Sequence, residues 1–160
     1  MRIYEIAASM LRRAYSSVTT PPILDAGSMF PAQQALLSQF DLLRSEAMSL
    51  LPNLSGIPRF HEIDRSQTPF SANDGKDWRL LVVKAYRHRV KRNELLVPVL
   101  AKFLEENPIV VSAAISFLSP GKHIPPHWGP FRGVARFHLC LHAAANGLEG
   151  CPYLILNGVR

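Results

Sequence analysis

The residues most suited to chemistry lie close together, in the stretch 116–141, which holds three histidines and two arginines. Imidazoles bind metal ions and guanidinium groups bind carboxylates, so this composition is typical of a metal site with anion-binding groups beside it. A turn rich in proline and glycine separates two runs that have the pattern of strands. In the second run, 135–141, Arg136 and His138 would project from the same face of a strand. The stretch therefore predicts one half of a metal site.

The stretch matches the pattern SxxxPGxHxxPHxGPxxxxxRxHL without a gap from Ser116 to Leu139. In this pattern the chain resembles the aspartyl/asparaginyl β-hydroxylases and the related lipid A 2-hydroxylases. The resemblance extends more weakly upstream through Asp77 and Trp78, so that it covers roughly the second half of the chain. It implies a double-stranded β-helix, the jelly-roll of cupin-like proteins, and an Fe(II)- and 2-oxoglutarate-dependent dioxygenase that hydroxylates its substrate.

The resemblance also implies a role for each matching residue. His127 takes the place of the first iron ligand, and is therefore the expected catalytic and metal-binding residue. Most oxygenases of this chemistry add a carboxylate to two histidines; here Gly129 stands where that carboxylate would be, as in the β-hydroxylases, which use two histidines and solvent. Ser116, Arg136 and His138 match the groups that bind 2-oxoglutarate, and a planar guanidinium suits a carboxylate because it forms two parallel hydrogen bonds.

The end of the chain departs from the family pattern. The family's second iron-binding histidine, and a further arginine that contacts 2-oxoglutarate, lie downstream of the last residue of this sequence, Arg160. Residues 151–156 have the pattern of a strand, and Asn157 with Gly158 is a strong signal for a hairpin that needs a returning strand. We therefore expect a domain that is incomplete at its C-terminal end.

Several residues of this stretch can also be explained by a structural or surface role without any function. A lone histidine is more often structural than a ligand, and an exposed His123 on a turn would need no function to explain it. His142 shares the strand parity of His138 but lies nearer the strand end, so we expect it at a rim or on the surface. Trp128 would either shape the mouth of a pocket or anchor the turn as a half-buried aromatic residue.

The composition predicts an ordinary globular protein. With 160 residues and 48% hydrophobic content, the chain can bury one core, and we expect an N-terminal helix and linker over 1–30 followed by one domain over 31–160. No apolar run approaches the roughly 20 residues that cross a bilayer. Charged residues interrupt the apolar part of 1–17, so it is a poor secretory signal and we expect a cytoplasmic protein. A transit peptide or a membrane-surface anchor is the alternative for this segment.

The rest of the chain has helical patterns first and strand patterns later. A helix is predicted over 31–51, and a second helix over 94–106 should begin at Pro98, because proline in a helix interior costs about 3 kcal/mol. The remaining predictions are loops and short irregular strands over 52–77 and strands over 78–86 and 109–117. We predict a mainly β (α+β) fold, a partial jelly-roll with the N-terminal helices packed on the sheet.

The net charge of +6 suggests a rival function. Residues 84–92 place five positive charges beside Tyr86, a composition that can bind phosphates and stack on bases, although no recognised nucleic-acid motif accompanies it. We favour a hydroxylase whose partners are 2-oxoglutarate, O2 and a peptide or lipid substrate, acting on the β-carbon of aspartyl or asparaginyl residues or on a lipid acyl chain. Peripheral membrane contact would be a second use of the charge. The alternatives are a non-catalytic remnant of the fold and a basic module that binds nucleic acid or other anions.

Overall fold

The computed structural model of the protein describes residues 6, 9–11, 13–17, 21–127, 133–143, 154 and 155. The chain divides into two compact units. The central unit is Pro31–Ile124, and the terminal unit combines the described residues of Met1–Phe30 with those of Pro125–Arg160. In the terminal unit, residues 6, 9–11, 13 and 14 are helical.

The central unit contains a three-stranded antiparallel sheet with the order β2-β1-β3. Its strands are β1 (Trp78–Ala85), β2 (His88–Arg89) and β3 (Ala113–Leu118). The predictions of strands over 78–86 and 109–117 are therefore confirmed, with a later start for the second. Apolar residues on alternate positions of β1 and β3 bury one face of the sheet, where Leu81 pairs with Ile115 and both side chains enter the core.

The connection between β1 and β2 is a two-residue hairpin turn of unusual composition. Tyr86 and Arg87 both adopt positive φ angles, 46° and 74°, in the left-handed region that glycine and asparagine normally fill. Two hydrogen bonds from a distant segment support the turn. The amide of Tyr86 donates to Oγ of Ser112 at 3.0 Å, and the amide of Arg87 donates to the carbonyl of Val111 at 2.7 Å.

Seven α-helices lie in the described part of the chain, counted from residue 21 onward. They are α1 (Ala26–Met29), α2 (Gln33–Leu37), α3 (Phe40–Ser49), α4 (Phe60–Ile63), α5 (Thr68–Ser71), α6 (Lys91–Glu94) and α7 (Pro98–Glu106). The helix predicted over 31–51 is thus present as α2 and α3, separated by a turn at residues 38 and 39. The predicted start of a helix at Pro98 is confirmed, because the ring occupies the first turn, where no amide hydrogen is required.

Residues 52–77 differ from the prediction of loops and short irregular strands. Helical turns occupy most of this segment: α4, α5 and the 3-10 helices Leu51–Gly56 and Arg65–Gln67. Proline and aspartate, which indicate turns, serve here to begin helices. Pro69 lies in the first turn of α5, and the carboxylate of Asp64 accepts a hydrogen bond from the amide of Ser66.

A glutamate from α3 caps α7. Oε1 of Glu46 accepts a hydrogen bond from the amide of Val99 at 2.5 Å, and Oε2 accepts one from Leu100 at 3.2 Å. The first amides of a helix have no partner within the helix and carry a partial positive charge, so a carboxylate there is doubly favourable. The cap joins two helices whose apolar residues form the core with the sheet. These core residues include Leu43, Ala47, Val83, Val97, Phe103 and Leu104.

The prediction of a mainly β fold is wrong for the described residues, because helices hold more of them than strands do. Residues 133–143 include the predicted strand 135–141 but contain no regular secondary structure, since a strand exists only when it pairs with another. The antiparallel sheet with accompanying helices agrees with the α+β part of that prediction. The hairpin predicted at Asn157 and Gly158 lies outside the described residues, as does all of the predicted strand 151–156 except residues 154 and 155, which have no regular structure.

Two further predictions concern the chain as a whole. The division into an N-terminal helix and linker over 1–30 and a domain over 31–160 stays a prediction. Among the residues that the structure describes, none of the helices has both the length and the apolar character needed to cross a membrane.

Replacement of Glu46 by alanine removes the cap of α7. We expect the free energy of unfolding to fall by about 1–2 kcal/mol, the usual loss when a side chain that satisfies the first amides of a helix is deleted. Urea unfolding followed by circular dichroism would measure it. Glu106→Ala is the matched control, because this glutamate at the other end of α7 is exposed and lies 3.9 Å from Lys102. We expect it to change stability by less than about 0.5 kcal/mol. Equal losses in the two variants would contradict the capping role.

Candidate functional site

The face of the sheet opposite the core carries Ser116, the first of the predicted site residues. Alternation along β3 buries Ile115 and exposes Ser116, which pairs with Leu80 of β1. The residues of β1 and β3 that share this face are half-buried or exposed: Trp78, Leu80, Val82, Ala114, Ser116 and Leu118. The face is therefore apolar apart from the indole nitrogen of Trp78 and the hydroxyl of Ser116.

These two polar groups are bonded to each other. Nε1 of Trp78 donates a hydrogen bond to Oγ of Ser116 at 2.8 Å. An indole N–H can only donate, so the hydroxyl must accept this bond and its own proton points elsewhere. The indole ring is held in turn by Phe60, whose ring centroid lies 4.8 Å away in an edge-on arrangement. Ser116 is thus oriented as a hydrogen-bond donor, which is the role required to bind a carboxylate.

The turn that follows β3 is held by a buried lysine. The side chain of Lys122 has 0% exposure. Its Nζ donates to the carbonyl of Ser71 at 3.0 Å, to Oδ1 of Asn73 at 2.7 Å and to Oδ1 of Asp74 at 2.6 Å. All three donor positions of the ammonium group are therefore matched by oxygen atoms, one of them charged. We call Lys122, Asn73 and Asp74 the lysine clamp.

Backbone contacts extend the lysine clamp over the rest of the turn. Oδ2 of Asp74 accepts a hydrogen bond from the amide of His123 at 2.8 Å, and Nδ2 of Asn73 donates to the carbonyl of His123 at 3.1 Å. The carbonyl of Gly121 accepts from Nζ of Lys76 at 2.8 Å. Gly121 has a φ of 68°, and a Cβ atom at this position would lie 2.7 Å from that Nζ. The positive φ explains why glycine follows the proline here, since the flexible end of Lys76 could move away from a Cβ atom.

The same contacts lower the pKa of Asp74 well below its usual range. The largest cause is the hydrogen bond from Lys122, followed by the backbone hydrogen bond from His123. Each of these donors favours the charged carboxylate over the neutral acid. The lysine clamp is thus an ion pair at neutral pH.

His127 belongs to the terminal unit and is exposed. Its Nδ1 lies 2.9 Å from the carbonyl of Pro125. A carbonyl can only accept, so the proton is on Nδ1 and the lone pair of the neutral ring is on Nε2. This is the tautomer of a metal-binding histidine whose orientation is set by a backbone carbonyl. In its chemistry His127 therefore fits an iron ligand.

Among the described residues, His127 is not part of a complete metal site. Within the ranges 21–127 and 133–143 and the shorter described segments, no group of three or more histidine, cysteine, aspartate or glutamate side chains could hold a metal ion. Gly129 and Trp128 lie outside the described residues. The assignment of His127 as a ligand stays a prediction, and its partners in such a site are not among the described groups.

Arg136 and His138 are both exposed and lie on the irregular segment 133–143 of the terminal unit. Phe137, between them, contacts Phe30 of the same unit with a ring-centroid distance of 5.3 Å. Partial desolvation of the ring, and secondarily the nearby charge of Arg136, lower the pKa of His138. The neutral imidazole is therefore favoured.

The predicted site residues thus fall in both units. Ser116 lies in the central unit, and His127, Arg136 and His138 lie in the terminal unit. Arg136 and His138 are near enough for the charge of one to affect the pKa of the other. His142 is exposed, in agreement with the prediction of a surface or rim residue.

The sequence analysis did not identify the lysine clamp. Residues 73–75 have the composition of a turn, and Lys122 directly follows the proline-glycine pair. Neither signal indicates that the two segments, 48 residues apart at Lys122 and Asp74, are joined by a buried charge.

Comparison with known families identifies the class of protein. The family model described as Aspartyl/Asparaginyl beta-hydroxylase matches residues 38–156. This match covers most of the chain and includes both the sheet face of Ser116 and the segment with His127, Arg136 and His138. The chain belongs to this family, and the resemblance found in the sequence pattern is confirmed.

A curated relative is the ornithine lipid ester-linked acyl 2-hydroxylase of Rhizobium tropici. It is 27% identical to the chain over 134 residues, which are 84% of this chain and 47% of the relative. The chain thus spans about half the length of the curated relative that it matches. No solved structure matches the chain.

The lysine clamp should contribute to stability in a way that depends on pH. The pKa of Asp74 is lower in the folded protein than the value of about 3.9 expected in the unfolded chain. Its contribution is therefore fully present above the unfolded pKa and is lost as the pH falls toward the folded one. Below about pH 4 the wild type should lose stability more steeply than the Asp74→Asn variant. Urea unfolding between neutral and strongly acidic pH would test this expectation, and parallel curves for the two proteins would contradict it.

Removal of the ammonium group tests the other partner of the clamp. Lys122→Met keeps most of the apolar stem and should lower the free energy of unfolding by about 1.5–3 kcal/mol at neutral pH, as expected for lost hydrogen bonds to a charged group. Lys102→Met is the control, because the side chain of Lys102 is 76% exposed. We expect the control to change stability by less than about 0.5 kcal/mol.

Proposed function

We propose that this chain supplies part of the active site of an iron(II)- and 2-oxoglutarate-dependent hydroxylase that acts on the acyl chain of a lipid. Membership of the hydroxylase family supports the reaction, and the relative named for acyl 2-hydroxylation of an ornithine lipid supports the substrate class. The observation that carries the proposal is the partly exposed apolar face of the sheet, with one hydroxyl oriented to donate.

The character of this sheet face favours an acyl chain over a peptide. Trp78, Leu80, Val82 and Leu118 offer apolar contacts, whereas an aspartyl or asparaginyl residue with its polar backbone would need several hydrogen-bonding groups. The indole N–H of Trp78 already has Ser116 as its partner. Hydroxylation of aspartyl or asparaginyl residues, after which the family is described, is therefore the second candidate.

Three side chains are proposed to bind 2-oxoglutarate. The hydroxyl of Ser116 would donate to one carboxylate, and the guanidinium of Arg136 would bind a carboxylate through two parallel hydrogen bonds. His138, whose lowered pKa favours the neutral ring, would contribute one N–H donor without a second full charge.

His127 is proposed to hold iron(II) through Nε2, since its proton is on Nδ1. When bound, iron(II) with 2-oxoglutarate and O2 supplies the oxidising power needed to convert a C–H bond into an alcohol. The overall reaction places one oxygen atom of O2 in the product and the other in succinate, with release of CO2. We also propose that the sheet described above is part of the double-stranded β-helix that the resemblance implies.

The basic segment 84–92 is less suited to binding nucleic acid than its composition indicates. Lys84 is buried, and Arg89 forms an ion pair with the buried carboxylate of Glu94. Lys91 approaches the same carboxylate at 3.3 Å. Two of the five charges, those of Lys84 and Arg89, are therefore directed toward the protein itself, whereas the side chain of Lys91 is 76% exposed. This observation favours the hydroxylase over a module that binds nucleic acid.

Replacement of His127 by alanine should abolish the proposed reaction. We expect the formation of succinate and of hydroxylated lipid, in the presence of iron(II), 2-oxoglutarate and O2, to fall at least about 100-fold, because a metal ligand is lost. Mass spectrometry of the lipid would measure it, with His142→Ala as the control for an exposed histidine near the same segment. Turnover that is unchanged in His127→Ala would exclude this role, and no turnover in the wild type would favour a non-catalytic remnant.

The hydrogen bond between Trp78 and Ser116 gives a sharper test of co-substrate binding. Ser116→Ala should raise the KM for 2-oxoglutarate by about tenfold, and Trp78→Phe, which keeps the ring but removes the N–H, by about fivefold, with smaller effects on kcat. Because the indole acts through the hydroxyl, the double variant should be no worse than Ser116→Ala alone. Additive effects would indicate that the two residues act separately.

A further inference from the structure

Two adjacent leucines are exposed at the turn between α6 and α7. Leu95 is 83% exposed and Leu96 is 48% exposed, whereas the next residue, Val97, is fully buried. Single exposed leucines are common, but an adjacent pair at the tip of a turn forms a continuous apolar protrusion. Such protrusions are typical of surfaces that contact a membrane or another protein.

Basic side chains surround this protrusion. Lys91, Arg92, Leu95 and Lys102 line one shallow groove between the two helices, and the side chains of Lys91 and Lys102 are each 76% exposed. We call Lys91, Arg92, Leu95, Leu96 and Lys102 the basic elbow. The groove is also lined by two glutamates, Glu94 and Glu105, and Arg89 forms ion pairs with both of them. Lys91 lies 3.3 Å from Glu94, and Lys102 lies 3.9 Å from Glu106. The lining of the groove holds four cationic side chains and two carboxylates, so its net charge is positive.

The backbone beneath the basic elbow is firmly held. Nδ2 of Asn93 donates to the carbonyl of Val82 in β1 at 2.8 Å, and Nη2 of Arg89 donates to the carbonyl of Ala101 in α7 at 3.2 Å. The ion pair of Arg89 with Glu94 lies at the same place. The leucines can therefore enter a partner without refolding of the turn, so that little ordering accompanies binding.

We infer that the basic elbow docks on an anionic lipid bilayer, with Leu95 and Leu96 in the interface and the three basic side chains against lipid phosphates. The combination of exposed aliphatic side chains with cations is the pattern of interfacial membrane contact. A nucleic acid would use the cations, but leucines do not provide the stacking surface that bases require. The inference does not depend on the proposed reaction, because binding to vesicles requires neither iron nor turnover.

Co-sedimentation of the full chain with vesicles tests the inference. The protein should bind phosphatidylcholine vesicles that contain phosphatidylglycerol, should bind pure phosphatidylcholine vesicles at least about tenfold more weakly, and should be released by high salt. Lys91→Gln/Arg92→Gln/Lys102→Gln should weaken binding to the anionic vesicles by at least about tenfold. Leu95→Ser/Leu96→Ser should weaken it by about tenfold as well, because apolar contact with the interface is lost.

A control variant separates the effect of changing the basic elbow from the effect of removing an exposed leucine and a cation elsewhere. Leu42→Ser/Arg44→Gln removes an exposed leucine and an exposed cation from α3, and this variant should bind as the wild type does. Circular dichroism should show that all variants fold, since every altered side chain is exposed. Normal binding by either elbow variant, equal weakening in the control, or displacement of the protein by soluble glycerophosphoglycerol would overturn the inference.

Discussion

The turn ahead of His127 depends on the hydrogen bonds that the buried residue Lys122 donates through its ammonium group. Its side chain is fully excluded from solvent, and a charge in that position is tolerated only if every donor has an acceptor and one acceptor is charged. The carbonyl of Ser71 and the side chains of Asn73 and Asp74 meet this condition. A shift of the turn would leave part of the ammonium group unsatisfied, so the electrostatic requirement also defines the geometry.

The alternation of side chains along β1 joins stability and function in one strand. Leu81 and Val83 point into the core, where they are almost or completely buried. Trp78, Leu80 and Val82 lie on the opposite face with Ser116, at positions two residues apart. A shift of one residue in the register between β1 and β3 would exchange these faces. The same hydrophobic burial that holds the sheet together therefore also places the indole against the hydroxyl.

Local signals allowed some of the fold to be predicted from the sequence. The apolar run of β1 and the proline that begins α7 act over a few residues, and both were predicted at nearly the observed positions. The prediction of loops and short strands for residues 52–77 was wrong, because proline and aspartate are as common at the start of a helix as they are in turns. The predicted strand 135–141 had the right alternation, but alternation does not supply a pairing partner.

The candidate site, like the fold, could be predicted only where a local pattern indicates it. The sequence pattern identified Ser116, His127, Arg136 and His138 by type and spacing, which is what a family motif conveys. It did not indicate that the indole of Trp78 would bond to Ser116, because this contact arises from the pairing of β1 with β3 across 38 residues. The lysine clamp likewise spans 48 residues between Lys122 and Asp74. Contacts of this kind depend on the tertiary structure and leave no local pattern.

The hairpin turn at Tyr86 and Arg87 has a consequence for the order in which the sheet can form. A turn of two left-handed residues that are neither glycine nor asparagine is unfavourable by itself. Its supporting acceptors, the carbonyl of Val111 and the hydroxyl of Ser112, come from a segment about 25 residues later in the chain. The shortest connection in the sheet therefore depends on a distant one. The segment that leads into β3 must arrive before the hairpin between β1 and β2 gains its full stability, so the most local element of this sheet is not an independent starting point for folding.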